Sequence, residues 1–312
     1  MQIDVRKLEQ LTASLPIRFL DDRVRQSIII ADCEPIYFSS AVEEGSENLP
    51  GGGCGENMRS AYSHPDKPYE PLITALFYLI KEQLPNLQMM DVGALWGHTS
   101  LVAATIFGKS TIHLFEMNPI TTEVLKKNVK FNEHLKAKFD VQNVVLSDID
   151  VTTNVTFKHY TARYGKGKGG SNLSPIKILR ENFKSWLKRT FQHDGRGDYI
   201  TSQMRVRSLD NYCHEKNFVT NLIKIDVEGS QYAVLEGARQ VLSQHPSVVL
   251  VEFDTADSAN NIGKSNRDVL QLMQSMGYRC IWGDHRSRNV HLRQIDTSSK
   301  VDIEVNSLAI FY

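Results

Sequence analysis

No apolar run in the chain approaches the roughly 18 residues that a membrane-spanning helix needs. None of its four cysteines, Cys33, Cys54, Cys213 and Cys280, stands in a CxxC pair. The first absence argues against a transmembrane protein, and the second against a zinc knuckle or a disulfide framework. Net charge is missing too, because 36 basic side chains balance 36 acidic ones. A neutral chain has no overall pull toward nucleic acid, so nucleic acid is not the expected partner. The opening MQIDVRKLEQ is charged where the apolar segment of a signal peptide should follow, which predicts a cytoplasmic protein with reduced thiols. The histidines have no ligand spacing with one another or with the cysteines, so no metal site is predicted.

What is present is a rhythm. At 312 residues and 41% apolar content the chain can bury one large core or one core plus a small appendage. PLITALFYLIKEQL repeats apolar residues at helical spacing, and LQMMDVG is a short buried strand ending in glycine. HTSLVAATIFG reads as a helix, STIHLFE as a strand, PITTEVLKKNVKFN as a helix with proline at its start, and DVQNVVLS as a strand. Further on come the strand NLIKIDVEG, the helix QYAVLEGARQVLSQH, the apolar strand SVVLVEF, the helix RDVLQLMQSMG, and the strands YRCIW and SLAIFY. Parallel strands need crossovers long enough to hold a helix, so this alternation predicts a doubly wound α/β domain with a mostly parallel sheet.

Two stretches break the rhythm. Residues 1–68 read as an accessory segment, with a hairpin in RQSIIIADCEPIYFSS and a glycine-rich loop at Gly51 to Gly55. That loop lacks the Lys-Ser/Thr ending of a phosphate cradle and reads as a flexible connection. Residues 158–200 form a basic insertion. Within it Ile176, Leu179, Phe183, Trp186 and Leu187 share a helical face, while Lys177, Arg180, Lys184, Lys188 and Arg189 fall mostly elsewhere. The helix could pack its apolar stripe on the domain with its charges solvated, serve as a substrate lid, offer a surface to an acidic substrate or nucleic acid, or contact a membrane surface.

Ligands of open α/β sheets gather at the carboxyl ends of the strands, where the first loop must let them approach the backbone. In DVGALWGHTS, Gly93 and Gly97 suit that need, and Asp91 can organise the loop. A dinucleotide site would carry GxGxxG, and this loop has GxxxG with Leu95 at its middle. S-adenosylmethionine has no phosphate and needs a carboxylate for its ribose hydroxyls at the end of the second strand, where Glu116 stands. Asp148 closes the next strand, beside the expected adenine edge. In LIKIDVEG, Asp226 and Glu228 end an apolar strand where a carboxylate could hold a substrate hydroxyl, take its proton, or contact an amino group.

These residues resemble the FkbM family of S-adenosylmethionine-dependent methyltransferases. The pattern K-I-D-V-E-G followed by V-L-x-G-A is met by Lys224 to Gly229 and by Val234, Leu235, Gly237 and Ala238. Matches in order are Tyr69-Glu70-Pro71, DVGA with Gly97, FE with Asn118 and Pro119, Leu146-Ser147-Asp148, Ser208-Leu209-Asp210, and Val251-Glu252. The resemblance covers about residues 69–312, which are expected to form the methyltransferase domain. It implies a class I methyltransferase (Rossmann-like) sheet of seven strands, the last inserted antiparallel. It further implies O-methylation of a hydroxyl on a sugar, polyketide or related small molecule. Carried over, it places the cofactor against Tyr69, Glu70, Asp91, Gly93, Ala94, Gly97, Glu116, Met117, Ser147, Asp148 and the Asp226 strand end. The chain departs from the pattern at Leu95, where asparagine is usual, at Met117, where proline is usual, and at Ser171 and Asn172, which lie in the basic insertion.

An alcohol is a poor nucleophile at neutral pH, so a base should take its proton while positioning supplies most of the acceleration. Asp226 and Glu228 are the candidates, with His98 and His159 behind them. Rival readings are a non-catalytic cofactor- or partner-binding protein, a nicotinamide-dependent dehydrogenase, and a nucleic-acid methyltransferase working through the basic insertion. The sequence admits an oligomer without setting its symmetry.

Overall fold

Largely apolar runs of four to six residues become the central strands, and the alternation of side chains along each run divides them between two cores. The computed structural model of the chain describes residues 1–21, 25–39, 54–62, 68–158, 199–227, 229–245, 247–253, 255 and 264–312. Helix α1 (Val5–Ser14), capped by Asp4 accepting from the Lys7 N–H, leads into an antiparallel sheet of β1 (Ile17–Asp21), β2 (Arg25–Ile30) and β3 (Ile36–Ser39). The hairpin expected from the sequence is β2 and β3. Helices α2 (Cys54–Ala61) and α3 (Pro71–Ile80) follow. The alternation then begins with β4 (Leu87–Val92), α4 (His98–Phe107), β5 (Ser110–Phe115), α5 (Pro119–Phe131) and β6 (Ala137–Gln142).

A side sheet interrupts it, built from β7 (Val145–Leu146), β8 (Val151–Lys158) and β9 (Tyr199–Arg207) in the order β7-β9-β8. The chain returns through α6 (Leu209–Lys216), β10 (Leu222–Ile225), α7 (Gln231–Glu236), α8 (Arg239–Gln244), β11 (Val248–Phe253) and α9 (Asn266–Ser275). It ends with β12 (Cys280–Gly283), β13 (Arg293–Ile295) and β14 (Ser307–Phe311).

The main sheet has eight strands in the order β13-β12-β14-β11-β10-β4-β5-β6. The five from β11 to β6 pair in parallel, and β14 lies antiparallel between β11 and β12. This is the doubly wound class I methyltransferase sheet, with one strand more than the seven expected. The extra strand, β13, is three residues long with two exposed side chains, so it carries no apolar signal to read. Leu87, Met89, Leu222, Leu250 and Ile310 point into one core, shared with α3, α4 and the apolar side chains of residues 3–38. Their neighbours Met90, Ile223, Ile225, Val251 and Phe311 point into the other, under α6 to α9.

Two other expectations are corrected. DVQNVVLS is not one strand, because β6 ends at Gln142 and β7 joins the side sheet. At the break the Asn143 amide donates to the carbonyls of Glu116 and Met117. QYAVLEGARQVLSQH is not one helix but two, parted at Gly237-Ala238. The reason is packing: a Cβ on Gly237 would sit 2.0 Å from the Ser147 carbonyl oxygen. Only glycine lets the two loops approach so closely.

Candidate active site

The first loop is held from both sides. The N–H groups of Gly93 and Ala94 both donate to the Phe115 carbonyl, which folds the loop back over the end of β5. Gly93 has φ 79°, and a Cβ there would meet the Asp226 carbonyl oxygen at 1.8 Å. The loop glycine therefore lets the two strand ends, β4 and β10, touch. Leu95 is also left-handed, at φ 50°, a conformation that asparagine tolerates far better than leucine. The FkbM pattern carries asparagine here. The strained backbone aims the Leu95 N–H at Glu116 Oε2, 3.0 Å away, and the Asn118 N–H binds Oε1 at 2.8 Å. Burial pushes the Glu116 carboxyl up to about 7, against the pull of those two N–H groups.

Strand register explains the next cluster. Asp91 on β4 and Lys224 on β10 are paired positions of adjacent parallel strands, and Asp226 lies two residues beyond Lys224 on the same face. Lys224 Nζ lies 2.9 Å from Asp226 Oδ2 and 3.9 Å from Asp91 Oδ1. Burial opposes the lysine charge, yet Asp226, Asp91, Glu70 and Glu252 hold its ammonium above the ordinary range. Burial also raises Asp226, but Lys224, His285 and Arg286 outweigh it and hold the carboxylate below its usual range. Asp91 is fully buried, which raises its carboxyl. Its Oδ2 accepts from the Ser100 hydroxyl at 2.6 Å, while Oδ1 has no hydrogen-bond partner.

Glu70 precedes α3 in a left-handed conformation and does not cap the helix with its side chain. Its carboxylate is buried, taking a hydrogen bond from the Thr99 hydroxyl at 3.3 Å. His98 stands between this acid and the N-terminal segment: its Nε2 is 2.7 Å from the Tyr62 hydroxyl and its Nδ1 3.9 Å from Glu70 Oε2. Burial lowers the imidazole to about 3, so it is neutral. The neutral ring carries one proton, and a Tyr62 hydroxyl that donates to Nε2 would leave it on Nδ1, which has no hydrogen-bond partner on the glutamate side. Tyr69 packs edge-on against the same ring, with centroids 4.8 Å apart.

Glu252 ends β11 and is also buried. Arg286 donates to its Oε1 at 2.8 Å, and His285 Nε2 lies 3.6 Å from its Oε2. Burial, then the charges of Asp226 and Glu70, drives its carboxyl well above the usual range.

The structure thus brings Tyr69, Glu70, Asp91 and Asp226 into one electrostatically linked cluster. Glu116, with Ala94 and Met117 in the adjoining turns, lies at the neighbouring strand end. Asp148 follows β7 rather than a strand of the main sheet, and its Oδ1 accepts from the Ser147 hydroxyl. Glu228, His159, Ser171, Asn172 and the basic helix lie outside the described residues. Sequence reasoning gave no role to Lys224, Glu252, His285 or Arg286. Lys224 had a readable signal, a lone lysine inside an apolar strand; His285 had none.

The model of the family described as the methyltransferase FkbM domain matches residues 91–280. No curated protein matches the chain. Among solved structures, the methyltransferase FkbM from Methylobacillus flagellatus is similar at 14% identity and TM-score 0.42, over 78% of this chain and 53% of that one. The chain therefore spans about half the length of that protein. A putative caffeoyl-CoA O-methyltransferase from Staphylococcus aureus is similar at 12% identity and TM-score 0.40, over 82% of this chain and 90% of that one. A SAM-dependent methyltransferase from Agrobacterium tumefaciens is similar at 8% identity and TM-score 0.41, over 96% of this chain and 91% of that one.

Proposed function

Because the chain belongs to the FkbM methyltransferase family, its domain model matching residues 91–280, we propose that it methylates a hydroxyl group of a small molecule such as a sugar or polyketide. The family implies S-adenosylmethionine as the methyl donor, and the residues present suit that molecule. Glu116 offers a buried carboxylate fixed by two backbone N–H groups, which a ribose diol can bridge with its two hydroxyls. Asp91 Oδ1 is a buried acceptor without a hydrogen-bond donor, and an amino-acid ammonium has the charge and the protons to satisfy it. This unsatisfied oxygen is the observation that carries the reading. Ala94, Gly93, Gly97 and Met117 would line the loops between the two acids, with Tyr69, Glu70, Ser147 and Asp148 at the margins.

When bound, S-adenosylmethionine supplies an electrophilic methyl group on a sulfonium. The chain's task is then to hold the acceptor oxygen in line and receive its proton. Asp226 is the proposed group. Its carboxylate side chain is 24% exposed while its partner Lys224 is 5% exposed, so one edge remains open to a ligand. The ion pair keeps Asp226 ionised, and in that form it accepts a hydrogen bond from a hydroxyl and orients it. Glu228, two residues further along the sequence, shares this proposal.

Residues 1–68 belong to the proposal as an accessory segment that contributes Tyr62 to the His98 contact, with 69–312 as the methyltransferase domain. Among the described residues no helix is long and apolar enough to cross a membrane. A cytoplasmic setting is part of the same reading and agrees with four free cysteines.

Calorimetric titration with S-adenosylmethionine and with its demethylated product tests the cofactor assignment, alongside Glu116→Ala. Binding to the native chain and its loss in the variant are expected; equal affinity in both would remove Glu116 from the site. Asp226→Asn should keep cofactor affinity and lose methyl transfer at least tenfold. Full transfer by that variant would end its assignment.

A further inference from the structure

Three buried side chains from distant parts of the chain converge beside the Lys224 cluster. Glu70 comes from the turn before α3, Glu252 from the end of β11, and His285 from the loop after β12. One ligand atom of each lies within 4.8 Å of the others. The loop of His285 is tied to the start of α3, where its carbonyl accepts from the Leu72 N–H at 3.5 Å. His285 is 0% exposed, and neither ring nitrogen has a hydrogen-bond partner. A buried imidazole normally satisfies both nitrogens. Here Nε2 instead points at a carboxylate oxygen 3.6 Å away, too far for a hydrogen bond.

The surrounding charges lean the same way. Four acids, Glu70, Asp91, Asp226 and Glu252, stand around two cations, Lys224 and Arg286. With all four acids ionised, the state in which Glu70 and Glu252 could ligate a cation, the cluster carries two negative charges beyond its two cations, which one divalent ion would balance. Arg286 fixes Oε1 of Glu252, leaving Oε2 on the side of His285.

We propose that Glu70, Glu252 and His285 form a binding site for one first-row divalent transition-metal ion. Two carboxylates and an imidazole make a mixed oxygen and nitrogen set of the kind that Mn²⁺ and Zn²⁺ accept, while an ion such as Mg²⁺ prefers oxygen alone. Ligands about 2.1 Å from a shared ion stand roughly 3–4 Å apart; His285 Nε2 and Glu252 Oε2, at 3.6 Å, already meet this, and the other separations, none above 4.8 Å, close with side-chain shifts of about an ångström. Three protein ligands leave coordination positions open. On the methyl-transfer reading, on which this role but not the site itself rests, an acceptor oxygen would take one and become easier to deprotonate.

The test uses the full chain, dialysed against a chelator and titrated with MnCl₂ in the absence of S-adenosylmethionine, with free Mn²⁺ followed by electron paramagnetic resonance. One ion per chain with a dissociation constant below about 100 μM is expected, and pulsed spectra of the bound ion should show one directly coordinated ¹⁴N. His285→Ala and the isosteric Glu252→Gln should each weaken binding at least tenfold, whereas His291→Ala, an exposed control, should not. Should a variant fail to fold, the native chain decides alone through stoichiometry and the nitrogen coupling. Absence of stoichiometric binding, bound Mn²⁺ without ¹⁴N coupling, or full affinity in a folded His285→Ala variant would each overturn the site. Because no cofactor is used, a negative result here is separate from a failure of S-adenosylmethionine to bind.

Discussion

Replacing Glu116 by glutamine should make the cofactor-free chain more stable and less able to bind. In the folded chain burial raises this carboxyl from 4.5 to about 7. The sign follows from proton counting: between those values the folded state holds the proton that the unfolded state releases. The contribution is therefore fully present below pH 4.5 and is lost as pH rises through 7. Full ionisation by pH 8 costs the native chain on the order of 3 kcal/mol, from about 1.36 kcal/mol per pH unit. Glutamine escapes this cost. Like a protonated glutamate it offers one good acceptor to the two N–H groups of Leu95 and Asn118, so the amide and the protonated acid compare directly. Urea denaturation at pH 4.5 and pH 8 measures the effect. The two chains should be nearly equal at the lower pH, with the variant ahead at the higher by that order. A difference that stays flat between the two values, or a variant less stable at pH 8, would refute a buried, strained carboxylate. The same titration predicts that native affinity for S-adenosylmethionine rises as pH climbs through about 7, because only the ionised form accepts both ribose hydroxyls.

Gly93→Ala places a methyl 1.8 Å from the Asp226 carbonyl oxygen at a left-handed φ, while Gly277→Ala, equally left-handed at φ 89°, meets nothing within 4 Å. Thermal unfolding should show a loss of about 3 kcal/mol or more for the first and roughly 1 kcal/mol for the second. Equal losses would mean that the loop at 93 can move away from β10. Lys224→Met strands the buried Asp91 and its neighbour Asp226, for an expected destabilisation of about 3–5 kcal/mol in urea. A loss under about 1 kcal/mol would show that these acids are already neutral in the native chain.

Periodicity and turn residues alone made the alternating core of the sheet legible, since an apolar run of four to six residues closed by turn residues and followed by a helix has few other uses. β13 was not legible, with a single buried residue in three. Nor was the split of DVQNVVLS between two sheets, which depends on Asn143 bonding back to the Glu116 turn. Among site residues, Asp91, Glu116 and Asp226 could be found because each stands at or just past the end of a strand that leads into a turn. Glu252 was visible as part of a motif but without a role, because its significance lies in Arg286 and His285 beside it.

The order of hydrophobic and turn residues by itself determined the α/β alternation, the two-faced sheet and the acids at its carboxyl edge, because these follow from local periodicity and from crossovers that must be helical. Only the tertiary structure decided which charges meet. Parallel register sets Lys224 beside Asp91, a glycine without a Cβ lets the Asp226 strand end touch the first loop, and chain closure brings Glu70, Glu252 and His285 within 4.8 Å. Such contacts join residues far apart along the chain, where no local pattern can specify a partner, and burial then sets their ionisation.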